Sequence, residues 1–165
     1  PVTTEIGESE EQIKITLKAI KKADIEALII LPNNDAGYSK IMVEIENSKI
    51  RSVKTLSIDD YVNLLRQSSG LIGNSSSGIH ESASFNVPTI NIGTRQQGRL
   101  RPTNVIDTNH DVEEIVIAIN KCLKMKEEDL KHENPYGDGK SAERIVDLLK
   151  TLNIGDYIIQ KRINY

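Results

Sequence analysis

The sequence predicts an α/β fold, a parallel sheet wound with helices on both faces, and three observations point to it. Short apolar runs alternate with helix-period segments along the whole chain. The connections between them are of ordinary length, and isoleucine outnumbers leucine, which suits strands covered on both sides. Over residues 9–22, Ile13, Leu17 and Ile20 recur at helical spacing, with Ser9 and Gln12 as a capping box. Residues 27–31 are a continuous apolar run stopped by Pro32, the pattern of a strand buried on both faces. After Asn33-Asn34-Asp35-Ala36-Gly37 a second helix carries Ile41 and Ile45 inward. Residues 50–56 alternate like a strand, and Ser57 with Asp60 caps a helix bearing Tyr61, Leu64 and Leu65. A strand at Leu71-Ile72-Gly73 runs into a serine turn, and a helix follows over residues 78–85. Strands are expected at 89–92 and 104–106, then a long helix capped by Asp111 and Glu114, through Ile115, Ile119 and Leu123. A turn at Asn134-Pro135-Tyr136-Gly137-Asp138-Gly139 precedes a last helix over 141–152, capped by Ser141.

Right-handed crossovers between such strands give a doubly wound, Rossmann-like domain, in which ligands sit beyond the carboxyl ends of the strands. Four polar segments are expected on that edge: the Asn33 loop, the end of strand 50–56, the serine turn and the 93–101 loop. One domain suits 165 residues, with residues 1–152 as the body and 153–165 as an apolar tail that packs on another domain or a partner chain. The chain opens at Pro1 without methionine and enters structure at once, so it is expected to be a piece of a longer protein.

Composition narrows the function. Hydrophobic residues make up 38% and charged residues 27%, as in ordinary globular proteins. A net charge of −3 without basic clusters argues against nucleic acid as a partner. No apolar run reaches the ~20 residues of a membrane span, and no secretory segment is present, so a cytoplasmic location is expected. Cys122, the single cysteine, excludes an internal disulfide and sits in an amphipathic helix as a packed thiol. No histidine and cysteine pair has metal-ligand spacing, and neither a GxGxxG nor a P-loop pattern occurs, so neither metal nor dinucleotide cofactor is expected.

Gly73-Asn74-Ser75-Ser76-Ser77-Gly78-Ile79-His80-Glu81 carries the most chemistry. A serine-rich turn before a helix is by itself most often a cap. Here the free N–H groups and positive dipole end of a helix start would attract an anion, and serine hydroxyls add donors. Gly78 would let the backbone come close. Glu81 would repel phosphate but suits the paired hydroxyls of a ribose, so the turn points to a nucleotide. Arg95 and Arg99 follow a strand in a glycine-bounded loop, where arginine clamps phosphate or pairs with a carboxylate such as Glu81. Arg99 and Arg101 serve equally well as solvated loop charge, and Arg95, nearer the strand end, is the better candidate. Asn33 and Asp35 are turn formers, with a ligand role open for Asn33. His80 is an exposed neighbour of Glu81.

Pro1-Val2-Thr3-Thr4-Glu5, Pro32-Asn33-Asn34-Asp35-Ala36-Gly37 and the serine turn fall in a recognisable order with two further segments. These are Pro88-Thr89-Ile90-Asn91-Ile92-Gly93-Thr94-Arg95-Gln96-Gln97-Gly98-Arg99 and the turn at Asn134-Pro135-Tyr136-Gly137-Asp138-Gly139. Together they resemble the carboxyl-terminal half of the hydrolysing UDP-N-acetylglucosamine 2-epimerases, which begin sialic acid synthesis. The resemblance implies one half of a GT-B-type enzyme, with two Rossmann-like domains facing across a cleft. It implies Ser75 and Ser76 on the diphosphate, Glu81 on the ribose and the backbone near Leu56 on uracil. Arg95 and Asn33 match further contacts, with Asn74, Ser77 and Gly78 as secondary candidates. Such enzymes eliminate UDP across C1–C2 and hydrate the glycal to N-acetylmannosamine. Much of their acid–base machinery lies on the other domain, with a histidine just before the Pro-Val-Thr segment, so no catalytic residue is assigned here. Relatives associate as dimers or tetramers, and some use other nucleotide sugars, leaving UDP against GDP open. Val43 and Glu46 stand where the animal enzymes carry arginines for feedback by CMP-sialic acid, so that feedback is not expected. A GT-B glycosyltransferase donor domain and a non-catalytic nucleotide-sugar sensor are the competing readings.

Overall fold

The computed structural model describes residues 1–125, 127–130, 134–153 and 155. The chain falls into two units, Pro1–Pro135 and Tyr136–Tyr165. In the first, the order is α1 (Ser9–Lys22), β1 (Ile29–Ile30), α2 (Tyr38–Ser48), β2 (Ser52–Val53), α3 (Ile58–Gln67) and β3 (Leu71–Gly73). Then come α4 (Ser77–Ser84), β4 (Thr89–Ile92), β5 (Val105–Thr108), α5 (Val112–Cys122) and the short α6 (Glu127–Leu130). The second unit holds α7 (Ser141–Thr151). The expected tail lies, apart from residues 153 and 155, outside the described residues.

Among the described residues every strand pairing is parallel, as the alternation of strand and helix requires. The strands form two ladders, β1 beside β2 and β3-β4-β5, rather than one continuous hydrogen-bonded sheet. The first ladder is short because the expected runs 27–31 and 50–56 pair only at their centres, through Ile29 with Ser52 and Ile30 with Val53. Ile29 and Ile30 are half-buried, so this strand is not covered on both faces as its apolar run suggests.

β4 is the centre of the core. Its pleat sends Ile90 and Ile92 to one face, where they meet Ala19 of α1 and Ile115, Ala118, Ile119 and Cys122 of α5. Full burial of such side chains contributes about 1.5–3 kcal/mol each. The opposite pleat turns Thr89 and Asn91 toward α4. That helix lies tight on the strand because Gly78 faces it: a Cβ there would stand 2.6 Å from Thr89 Cγ2. The buried Cys122 thiol is pushed up to about 11 by desolvation, as expected of a packed rather than reactive cysteine.

Two helix starts follow the sequence and two do not. Ser57 Oγ accepts the Asp60 N–H at 3.1 Å, and Asp111 Oδ1 accepts the N–H groups of Glu113 and Glu114 at 2.9 Å. The capping box at Ser9 is absent. Ser9 Oγ instead donates back to the Ile6 carbonyl at 2.9 Å, and Gln12 Nε2 donates to Glu5 Oε2 at 2.7 Å, because a short 3-10 turn at Ile6–Glu8 leads into α1. In the second unit Ser141 does not cap α7. The preceding turn is held by Asp138, which accepts from Lys140 N–H and pairs with Arg144 through two bonds of 2.9 and 2.6 Å. That pairing pulls the exposed Asp138 carboxyl down to about 2.

Candidate nucleotide site

The parallel register sets Gly73 opposite Asn91, so the turn after β3 and the loop after β4 leave the sheet at the same edge. Side chains then join the two. Arg95 Nη1 donates to the Asn74 carbonyl at 3.1 Å, and Gln96 Nε2 donates to the same oxygen at 2.8 Å. The two strongest candidates of the sequence, the serine turn and Arg95, therefore share a carbonyl. Residue 1 lies within electrostatic reach of both Arg95 and Asp35, which brings the Asn33 loop into this neighbourhood. Asn33 itself is exposed, its carbonyl accepting the Asp35 N–H at 2.8 Å.

The start of α4 differs from the expectation in one respect. Its first-turn amides are committed within the turn: Ser77 N–H to Ser75 Oγ at 3.3 Å, Gly78 N–H to Ser75 O at 3.1 Å, and Ile79 and His80 N–H both to Ser76 O at 2.9 Å. A tight 3-10-like entry consumes donors that an open helix start would leave free. What the turn presents at Ser75 and Ser76 is the positive end of the helix dipole together with serine hydroxyls. Gly78 faces Thr89, so its missing side chain serves helix-to-strand packing.

Ser77 Oγ is hydrogen-bonded to the Tyr61 hydroxyl. This joins α3 to α4, and burial, helped by the nearby charge of Glu81, pushes the phenol pKa of Tyr61 up. Sequence patterning assigned Tyr61 to the apolar face of α3, since a tyrosine at helical spacing gives no sign of what its hydroxyl meets. Glu81 is exposed on α4, and the half-buried Leu56 ends the segment after β2, immediately before the α3 cap. Arg99 lies over the helix start, with Nη1 3.3 Å from His80 Nε2. Arg101 is neither free loop charge nor aimed at the turn. Its Nε meets Asp107 at 2.9 Å and its Nη1 binds the carbonyls of Gln96 and Arg99 at 2.8 and 3.0 Å.

The strap at residues 1–8 is fastened to the same loop. Glu5 accepts from Thr94 Oγ1 on one oxygen and from Gln12 on the other, and these bonds hold its carboxyl below the usual range. Beneath them, burial lowers the imidazole of His110, which packs on Gly93 so closely that a Cβ there would lie 2.5 Å from Nε2. Gly93 also holds a φ of +75°, natural only to glycine, so two demands fall on this position.

Fold and edge together define a Rossmann-like half of a GT-B-type architecture. Solved structures of like fold include the UDP-GlcNAc 2-epimerase of Methanocaldococcus jannaschii in complex with UDP-GlcNAc and UDP, at TM-score 0.71 and 19% identity. The match covers 87% of this chain and 41% of that one. The MnaA–UDP structure from S. aureus matches at TM-score 0.70 and 20% identity over 96% of this chain and 44% of that one. The chain belongs to the UDP-N-acetylglucosamine 2-epimerase family, whose model matches residues 1–150. A hydrolysing UDP-N,N'-diacetylbacillosamine 2-epimerase from Legionella pneumophila is 33% identical over 98% of this chain and 43% of its own length. A UDP-N-acetylglucosamine 2-epimerase of Neisseria meningitidis is 28% identical over 98% of this chain and 44% of its own. The chain thus spans less than half the length of these relatives.

Proposed function

We propose that this chain is the nucleotide-binding half of a hydrolysing UDP-N-acetylglucosamine 2-epimerase, with residues 1–152 as that domain. The observation that carries the reading is the family match along residues 1–150, which includes the serine turn and the Arg95 loop. In this reading Ser75 and Ser76 hold the diphosphate, with Asn74, Ser77 and Gly78 shaping the turn. Glu81 accepts the ribose hydroxyls, Arg95 clamps the phosphates, and Asn33 and the backbone at Leu56 meet the rest of the nucleoside. Departure of UDP across C1–C2 builds negative charge on the diphosphate, where the α4 dipole, two hydroxyls and a guanidinium offset it. Water then adds to the glycal to give N-acetylmannosamine. Proton transfer belongs to the other half of the enzyme, so this chain binds nucleotide and turns over nothing alone. The whole protein works in the cytoplasm without a cofactor, as a homo-oligomer. The 33% identity to a diacetylbacillosamine epimerase, against 28% to an N-acetylglucosamine one, supports a second substrate, a UDP sugar with a modified hexose.

Calorimetry with UDP and GDP tests the reading. UDP is expected to bind more tightly, and Glu81→Ala to weaken it by about 1–3 kcal/mol through lost charge-assisted bonds to ribose. Tighter binding of GDP counts against UDP as the ligand, and unchanged affinity in Glu81→Ala removes that residue from the site.

A further inference from the structure

Gln96 is buried to 2% exposure in a loop whose neighbours Arg95 and Gln97 are exposed. Its Nε2 donates to the carbonyl of Asn74, 22 residues away, at 2.8 Å. Its Oε1 is buried with no hydrogen-bond partner among the described residues. A lone buried acceptor is unfavourable, and an apolar side chain of similar volume would avoid it. Packing therefore does not call for an amide at this position; the bond to Asn74 does.

The other end of Gln96 is anchored to the sheet. Its carbonyl accepts from Arg101 Nη1 at 2.8 Å, and Arg101 Nε is held by Asp107 of β5 at 2.9 Å. Asp107 in turn accepts from Asn91 of β4 at 2.6 Å. A continuous hydrogen-bonded chain thus runs from β4 and β5 through Arg101 and Gln96 to the entry of the serine turn. Arg95 shares the Asn74 carbonyl from the exposed side at 3.1 Å. Gln96 alone satisfies that oxygen, so the carbonyl stays paired without the Arg95 bond.

We propose that Gln96 is a positioning residue for the diphosphate: it fixes the carbonyl at the start of the turn, so aiming Ser75 and Ser76, and frees Arg95 for the anion. This rests on the nucleotide-binding reading above. Binding of UDP and of uridine to the full chain is compared for the parent and for Gln96→Met, which keeps length and loses the donor. Gln96→Leu stands in should Gln96→Met fail to fold. The expected result is a loss of about five- to tenfold in UDP affinity, the worth of one hydrogen bond, with uridine affinity and melting temperature held near the parent's. Equal losses for UDP and uridine, or a lowered melting temperature with UDP affinity intact, would show a merely structural role and overturn the proposal. A parent that binds UDP with variants that bind it equally removes Gln96 alone. A parent that binds no UDP overturns the nucleotide reading and this inference together.

Discussion

Replacing Gly78 by alanine puts a methyl group where α4 rests on β4. Packed carbons keep about 3.5–4.0 Å apart, so a Cβ at 2.6 Å from Thr89 Cγ2 demands roughly 1 Å of movement. Little of that movement is available. Thr89 is 1% exposed, its branched side chain is stiff at χ1, and β4 is held by β3 on one side and β5 on the other. Overpacking of this kind costs about 1–3 kcal/mol, and the better helix propensity of alanine returns up to about 1. A net loss of about 1–2 kcal/mol follows, or roughly 2–8 °C in melting temperature for a chain of 165 residues. Thr89→Ser removes the clashing methyl, and the new Cβ then meets Leu71 Cδ2 at 3.5 Å and the residue-89 Cβ at 3.8 Å, both ordinary contacts. The double variant should therefore be more stable than the sum of the singles by about 1 kcal/mol or more. Urea unfolding at constant slope measures all four species. A Gly78→Ala protein as stable as its parent, or strict additivity with Thr89→Ser, would refute the close packing of α4 on β4.

Asn104 is fully buried and donates to Ser82 Oγ at 3.0 Å and to the Val87 carbonyl at 2.6 Å, clamping the far end of α4. Asn104→Ala should cost about 2–3 kcal/mol by urea unfolding, since it leaves that carbonyl unpaired and opens a cavity; an effect near zero would remove the clamp. Burial holds His110 below its ordinary value of 6.5, against the opposing pull of Glu5 and Glu8. The unfolded chain therefore binds the proton first, so this part of the stability is complete above about pH 6.5 and declines as pH falls toward the folded value. Thermal melts across that window should show the decline flattened in His110→Asn, and parallel curves would contradict it.

Much of the fold was legible because local chemistry and final structure agree. Apolar runs ending at proline or glycine marked β1, β3 and β4. Ser57 and Asp111 capped the helices expected of them, since each bond spans only two or three residues. Ser9 failed where a competitor intervened: Gln12 found Glu5, and the 3-10 turn supplied an acceptor for Ser9 at Ile6. The strand at 50–56 was overestimated because alternation reports half-burial, whereas pairing depends on what lies alongside. At the site, the serine turn, Glu81 and Arg95 were visible as residue types that suit phosphate and ribose. Tyr61 and Gln96 were not, since their partners stand 16 and 22 residues away and sequence spacing carries no trace of them.

The sequence by itself determined the order of strands and helices, their parallel sense and the two polar segments, after β3 and after β4, that leave the sheet at one edge. These follow from periodicity, short connections and the handedness of crossovers, all of which are local. Only the tertiary structure decided that the amides at the start of α4 are already engaged, that Gly78 serves packing, and that one buried glutamine ties the turn to the sheet. Register brings those atoms together, and register is a property of the assembled strands rather than of any segment alone.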